Sequence, residues 1–169
     1  MLTIDWGKID IENFYNFGSK LSMNTFHASP IGLSEEIAGK EFDENRLIKG
    51  DYRHIELPVI FKQSTGKNLH DMLDTGWPSL YLISDKMENV LEQNNLTGWK
   101  TFPVQVIDKK GSEVKGYQGL SITGRCGPVD YTKCEIIEKR AFPDAPLVKY
   151  YKGLYVGLDK WDGSDFFSS

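Results

Sequence analysis

The stretch Leu80–Ile107, LYLISDKMENVLEQNNLTGWKTFPVQVI, carries the clearest secondary-structure pattern in the chain. Its first residues, Leu80–Ile83, form a short apolar run, which is typical of a buried strand. Ser84 or Asp85 then offers a side-chain oxygen to cap a helix, and Glu88 follows Asp85 by three places, as in a capping box. The stretch therefore predicts a strand that leads directly into a capped helix.

The predicted helix has one apolar face and a clear end. Met87, Val90 and Leu91 follow the i, i+3, i+4 spacing that places side chains on a single helix face. Asn94-Asn95 ends the helix. Thr101–Ile107 then alternates apolar and polar residues, which indicates a strand. The stretch thus predicts an amphipathic helix between two strands.

Further strands are predicted on the C-terminal side of this stretch. Asp108–Ser112 contains a glycine suited to a tight turn, and Glu113–Thr123 reads as a long returning strand. Gly116 and Gly119 are expected to form bulges in that strand. The remaining strand-like segments are Cys134–Lys139 and Lys149–Val156.

The N-terminal side gives weaker patterns. Ile55–Phe61 alternates like a strand, and Pro58 would confine that strand to a sheet edge or a bulge because proline cannot donate to the ladder. Asn68 can cap a short helix that carries Leu69, Met72 and Leu73 and ends near Gly76. Residues 33–54 are mostly polar and are predicted to be irregular surface structure. Together these elements predict an α+β fold, mainly antiparallel sheet with hairpins and a few short helices.

The length and composition fit one globular domain. The chain has 169 residues, of which 40% are hydrophobic and 26% are charged, and domains typically contain roughly 100–150 residues. We expect a single domain over residues 1–169, with residues 1–54 as a candidate N-terminal lobe and residues 55–169 as the core. The net charge is −4. A nucleic-acid binder needs a basic surface to release counterions, so this balance argues against nucleic acid as a partner.

The sequence shows no segment for secretion or membrane insertion. The N-terminus lacks the basic and apolar regions of a signal peptide, and no apolar run approaches the roughly 20 residues that span a bilayer. A cytoplasmic location without membrane partners is therefore expected. Cys126 and Cys134 are expected to be reduced thiols. With three scattered histidines they give no zinc-ligand spacing, so neither a metal nor a cofactor is expected.

Common catalytic motifs are not matched. Gly66-Lys67 lacks the first glycine and the Ser/Thr of a phosphate-binding loop. The segment from Gly119 to Gly124 lacks the glycine spacing of a nucleophile elbow. Asp159, Asp162 and Asp165 are spaced three apart, unlike the ligands of an EF-hand. Because carboxylates are plentiful, a small hydrolase with a carboxylate pair stays open as an alternative, as does a small-molecule or peptide-binding module.

Parts of the sequence resemble immunity proteins of bacterial polymorphic toxin systems. The strand–Ser-Asp–helix–Leu-Thr-Gly–strand–Pro order of Leu80–Ile107 resembles a family first described as a domain of unknown function and typified by a myxobacterial immunity protein. Two later stretches are similar to a Bacteroides-type subgroup of that family. They are Tyr117–Cys134, with Gly124-Arg125-Cys126-Gly127-Pro128-Val129-Asp130, and Tyr155–Phe167, with Trp161-Asp162-Gly163-Ser164-Asp165-Phe166-Phe167. The resemblance covers about half the chain.

The resemblance implies a non-catalytic protein that binds and neutralises a cognate toxin. Its candidate partner contacts are Arg125, Asp130, Trp161, Asp162 and Asp165. The small negative net charge suits a basic partner and acts mainly on the association rate. In the family, the tail usually continues into another strand and helix. A chain that is shortened at its C-terminus is expected to leave an apolar surface uncovered, and a homodimer is one way to cover it.

Overall fold

The computed structural model describes residues 15, 17–19, 24–31, 44–53, 55–133, 135–140, 142, 144–152 and 156–168. Within these residues it confirms the predicted α+β class, with many strands and few, short helices. The elements are β1 (His27–Pro30), α1 (Glu44–Ile48), β2 (Val59–Thr65), β3 (Met72–Asp74), β4 (Tyr81–Ser84), α2 (Asp85–Gln93), β5 (Trp99–Phe102), β6 (Val104–Ile107), β7 (Glu113–Val114), β8 (Tyr117–Ile122), β9 (Gly124–Arg125), β10 (Gly127–Val129), β11 (Glu135–Arg140), β12 (Leu147–Lys152), β13 (Val156–Gly157) and β14 (Phe167–Ser168). Short 3-10 helices lie at Tyr131–Lys133 and Leu158–Lys160.

The first sheet has the strand order β1-β2-β6-β7. β2 runs antiparallel to β1 and parallel to β6, with Val59 opposite Val104 and Phe61 opposite Val106. Phe61 and Val106 are buried on the face that these residues share. The prediction that Pro58 lies within this strand and confines it to a sheet edge or a bulge is wrong. β2 begins after Pro58 and lies between two strands, so the missing proline N–H removes no ladder hydrogen bond.

The second sheet has the order β3-β4-β8-β5, and all its neighbours are antiparallel. β4 confirms the strand predicted from the apolar run before Ser84. Leu82 packs into the core shared with the first sheet, whereas Ile83 packs on the opposite side with Leu91 of α2. Successive residues Leu82 and Ile83 are therefore both apolar, because both faces of β4 are covered.

Helix α2 confirms the predicted amphipathic helix. Ser84 is its N-cap, and the Ser84 Oγ accepts a hydrogen bond from the backbone N–H of Met87 at 3.1 Å. The predicted capping box between Asp85 and Glu88 is wrong. Glu88 instead accepts a hydrogen bond at 2.7 Å from the Thr101 hydroxyl on β5, so its side chain ties the helix to the sheet.

Two apolar clusters cover the two faces of the second sheet. The larger lies between the sheets and contains Phe26, Ala28, Leu47, Val59, Phe61, Leu73, Leu80, Leu82, Phe102 and Val106. The smaller cluster lies under α2 and contains Ile83, Leu91 and Leu120, with Phe17, Trp99 and Phe166 packed against it. Burial of apolar surface on both faces makes the second sheet the central layer of the fold.

The chain crosses between the sheets at Pro103 and again at Gly116. The single strand predicted over Thr101–Ile107 is wrong: residues before Pro103 join the second sheet, and residues after it join the first. The long strand predicted over Glu113–Thr123 also divides, at Gly116, whose φ of 84° favours glycine. The bulge predicted at Gly119 is wrong, because β8 pairs through this residue in unbroken register on both sides.

Two N-terminal predictions also need correction. The prediction that residues 33–54 are irregular is wrong for residues 44–48, which form α1 and bury Leu47. Residues 33–43 and residue 54 lie outside the described residues. The Leu47 carbonyl accepts a hydrogen bond from the Ser121 hydroxyl on β8, and the Tyr52 hydroxyl lies 3.0 Å from the Ser121 Oγ. The short helix predicted from Leu69, Met72 and Leu73 is wrong: β3 forms there instead, because Leu73 is buried at the edge of the second sheet.

The C-terminal part consists of three small two-stranded pairs. β9 and β14 are parallel, whereas β10 with β13 and β11 with β12 are antiparallel. β11 and β12 confirm the two strands predicted there within the described residues, and residues 153–155 of the second prediction lie outside them. Cys134 lies outside the described residues. Among the residues that are described, no helix is long and apolar enough to cross a lipid bilayer.

Candidate partner-binding surface

The loop around Arg125 and the C-terminal tail are brought together by the parallel pair β9–β14. Phe167 lies opposite Gly124, and Ser168 lies opposite Arg125. A Cβ built on Gly124 would overlap the Ser164 hydroxyl and the Phe166 carbonyl. The glycine is therefore needed because the tail backbone passes directly over it. This contact joins two of the three stretches that carry the family resemblance, Tyr117–Cys134 and Tyr155–Phe167.

Arg125 is half-buried and directs its guanidinium group at the chain itself. Its Nη1 donates to the carbonyl oxygens of Ile122 at 2.6 Å and Gly124 at 2.7 Å, and it lies 3.2 Å from the Ser168 hydroxyl. These contacts fix the loop against the last strand. A contact of Arg125 with a partner stays a prediction, and any such contact would add to this structural role.

Asp162 connects the tail to the same loop. Its carboxylate accepts hydrogen bonds from the backbone N–H of Arg125 at 2.9 Å and of Ser164 at 3.0 Å. Partial burial pushes the pKa of Asp162 upward, but the hydrogen bonds from Ser164 and Arg125 outweigh it and hold the pKa below its usual value. Asp162 is exposed, so the protein presents a fixed negative charge at this point.

Asp165 fastens the tail to the turn that follows α2. Its Oδ2 accepts hydrogen bonds from the backbone N–H of Thr97 at 2.7 Å and from the Thr97 hydroxyl at 2.8 Å. The Thr97 hydroxyl also lies 3.1 Å from the Asp165 backbone nitrogen. The Asp165 carboxylate stays exposed. Asp162 and Asp165 thus form an acidic surface that is held by backbone contacts.

Trp161 packs under this acidic surface. Its indole N–H donates to the Ser164 carbonyl at 2.9 Å, and its ring lies 5.6 Å from the ring of Phe167 in a tilted arrangement.

Asp130 lies on a different loop, directly after β10. It accepts a hydrogen bond from the backbone N–H of Thr132 at 3.1 Å and lies 3.3 Å from the Lys133 ammonium group. The structure therefore gathers four of the five predicted contacts and places Asp130 on a neighbouring loop.

An open cleft of about 480 Å³ lies beside this surface. Its lining residues are Thr97, Gly98, Thr123, Gly124, Asp162, Gly163 and Ser164. A general acid in a hydrolase needs a raised pKa, whereas hydrogen bonds lower the pKa of Asp162. Asp162 therefore does not fit the role of a general acid. Among the described residues, no three His, Cys, Asp or Glu side chains are placed to hold a metal ion.

The sequence interpretation missed a second surface, on the β11–β12 hairpin. Large apolar side chains are exposed there at Ile136, Phe142, Leu147, Val148 and Tyr150. The signal was present in the sequence, because Glu135–Arg140 reads EIIEKR and lacks the alternation that would bury one face. The strand register places Ile136 and Leu147 on one face of the hairpin and Val148 and Tyr150 on the other.

Comparison with known families gives a match over most of the chain. The model of the Immunity protein family (Imm11) matches residues 24–169. The matched range includes both sheets, the acidic surface and the β11–β12 hairpin. A comparison with curated proteins gave no match.

Proposed function

The chain belongs to the Imm11 immunity protein family, and we propose that it binds a cognate bacterial toxin and neutralises it without catalysis. The observation that carries this proposal is the family match over residues 24–169. Immunity of this kind requires a complex that blocks the active site or the movement of the toxin. We place its action in the cytoplasm, where a toxin that enters a sister cell would meet it.

The surface that we propose for toxin contact is the acidic one formed by Asp162 and Asp165, with Arg125 and Trp161 beneath it and Asp130 on the adjoining loop. Both exposed carboxylates are fixed by backbone hydrogen bonds. Pre-positioned charges lose little entropy on binding. This supports a basic patch on the toxin as the complementary surface, and such charge pairing acts mainly on the association rate.

The test of this proposal measures both cell survival and binding. The chain serves as bait in a pull-down from its native bacterium. The toxin domain of the protein that it retains is expressed in bacteria with and without the chain, and the affinity of the purified pair is measured by calorimetry. Growth that is restored only in the presence of the chain, together with a stoichiometric complex, supports the proposal. Full toxicity in the presence of the folded chain, or the absence of a complex, overturns it.

Asp165→Asn tests the acidic surface separately. The amide keeps an oxygen to accept from Thr97 but removes the charge, so we expect the association rate to fall about threefold at low salt. Glu92→Gln removes an exposed charge from α2 and is the matched control, which should bind like the unmodified chain. Equal rates for Asp165→Asn and the control would place the toxin on a different surface without refuting the immunity function.

A further inference from the structure

Thr97 contacts Asp165 through both its backbone and its side chain. The Asp165 Oδ2 accepts hydrogen bonds from the Thr97 backbone N–H at 2.7 Å and from the Thr97 hydroxyl at 2.8 Å. The same hydroxyl accepts from the Asp165 backbone N–H at 3.1 Å. The Thr97 carbonyl accepts from the Phe166 N–H at 3.0 Å. The N–H, the hydroxyl and the carbonyl of one residue therefore all hold the same short piece of the tail.

Thr97 is itself held in place by the end of α2. The N–H of Asn95 donates to the Glu92 carbonyl at 2.9 Å, and the N–H of Leu96 donates to the Leu91 carbonyl at 3.1 Å. Asn95 has a positive φ of 53°. These features form a Schellman motif, which fixes the direction of the chain after a helix. Thr97 therefore follows α2 in a defined position.

The residue after Thr97 is fixed as well. The Gly98 carbonyl accepts hydrogen bonds from the N–H of Thr123 at 2.8 Å and of Gly124 at 3.0 Å. Gly98 has a φ of 82°, and a Cβ built on it would overlap the Phe166 carbonyl. Thr97 thus lies between two fixed neighbours, and its hydroxyl reaches Asp165 from a rigid turn.

We propose that Thr97 is a positioning residue for toxin binding, which holds the Asp165 carboxylate in the orientation that a basic side chain of the toxin meets. This inference rests on the proposed function and adds a residue that acts through Asp165. Both side chains are exposed, so the contact lies where a partner can reach the carboxylate.

The entropy of the Asp165 side chain decides what Thr97 contributes. A side chain that is ordered before binding loses little conformational entropy in the complex, whereas a mobile one must be ordered at a cost in free energy. The charge of Asp165 acts at long range and speeds the encounter. We therefore expect Thr97 to act on the lifetime of the complex and the charge to act on the rate of its formation.

Thr97→Val tests the positioning without the toxin. Valine keeps the branched shape and the backbone N–H but removes the hydroxyl, so the Asp165 carboxylate loses one of its two donors from Thr97. NMR couplings between the Hα and Hβ atoms of Asp165 report its rotamer. We expect one rotamer in the unmodified chain and in Thr97→Ser, and an average over rotamers in Thr97→Val. The Phe166 N–H should exchange at the unmodified rate, because the Thr97 carbonyl still accepts from it.

Binding kinetics with the toxin domain retained in the pull-down test the consequence. Thr97→Val should raise the dissociation rate about threefold and should leave the association rate at low salt unchanged, because the charge of Asp165 is still present. Asp165→Asn should slow association instead. Thr97→Ser restores the hydroxyl and should restore the slow dissociation.

Thr65→Val is the matched control, because it makes the same substitution at an exposed position of β2 in the first sheet. It should bind like the unmodified chain. A single Asp165 rotamer in Thr97→Val overturns the proposal whether or not a toxin binds. Dissociation of Thr97→Val at the unmodified rate, or failure of Thr97→Ser to restore slow dissociation, also overturns it.

Two further outcomes separate this proposal from others. Faster exchange of the Phe166 N–H in Thr97→Val would assign Thr97 to the stability of the tail and would overturn the positioning role. An unmodified chain that binds no toxin would refute the proposed function, and with it the role of Thr97 in binding, even when the rotamers of Asp165 change as expected.

Discussion

Phe102 fills the space that Gly119 leaves empty on the neighbouring strand. The two residues lie opposite each other in β5 and β8, and a Cβ built on Gly119 would overlap the Phe102 ring. The ring is 1% exposed and belongs to the core between the sheets. Gly119 therefore serves packing, since its missing side chain admits a large aromatic ring.

Gly119→Ala should destabilise the protein by about 1–3 kcal/mol, because a packed core cannot absorb the added methyl group without shifts. Urea unfolding followed by tryptophan fluorescence measures the change. Gly18→Ala is the control, since its Cβ would lie at an ordinary 3.7 Å from the Tyr81 hydroxyl and should change stability by less than about 0.5 kcal/mol. Equal stability of the two variants would contradict this account of the core.

Ser84→Ala should lower the free energy of unfolding by about 1 kcal/mol, because the N-cap hydrogen bond from the Met87 N–H is lost. The hydrogen bond from the Ser84 hydroxyl to Asp71, at 2.9 Å, is lost as well. For a chain of this size the melting temperature should fall by about 2–4 °C. Ser84→Thr keeps the hydroxyl and should retain most of the stability. A threonine variant that melts as early as the alanine variant would show that the cap is not the cause.

Asp162→Asn should lower the free energy of unfolding at pH 7 by about 1 kcal/mol. The free energy of unfolding of this variant should also change less as the pH falls. The folded-state pKa of Asp162 is lowered. Its contribution is therefore complete above the unfolded pKa of about 3.9 and is lost as the pH falls through the folded value. Urea unfolding between pH 7 and pH 3 should show the two curves converging at low pH.

Asp159→Asn is the matched control for that measurement, because Asp159 is an exposed carboxylate in the same tail. It should follow the unmodified protein within about 0.5 kcal/mol at every pH. A constant difference between Asp162→Asn and the unmodified protein down to pH 3 would mean that the charge of Asp162 does not stabilise the fold.

Gly124→Ala should release the tail from the loop, because its Cβ would displace Ser164 and Phe166. Hydrogen exchange of the Phe166 N–H, which donates to the Thr97 carbonyl at 3.0 Å, should accelerate about tenfold, while α2 stays protected. Gly111→Ala lies in an open turn and should leave exchange in the tail unchanged. Unchanged exchange at Phe166 in Gly124→Ala would contradict the proposed close contact.

The elements that the sequence predicted well are those encoded by near neighbours. Helix α2 follows from the Ser84 cap and from the spacing of Met87, Val90 and Leu91, all within a few residues. The turn at Asp108–Ser112 likewise depends on local chemistry, and Gly111 has the expected positive φ of 86°. Such signals do not depend on the rest of the fold.

Contacts between residues that are far apart in the sequence determine the elements that the sequence did not predict. Nothing local shows that the residues on either side of Pro103 join different sheets, or that Leu73 belongs to an edge strand. In the site, the sequence singled out Arg125 and Asp162, but their hydrogen bond joins residues 37 positions apart. Their role in fixing the tail therefore became visible only in the folded chain, and their role toward a partner stays a prediction.

The connections between the two sheets at Pro103 and Gly116 are very short. β5 passes into β6, and β7 into β8, over one or two residues, so a pull on either sheet is transmitted to the other through covalent bonds. Sliding or hinging of one sheet over the other would stretch these connections. We therefore expect the two sheets to resist mechanical separation and to unfold together.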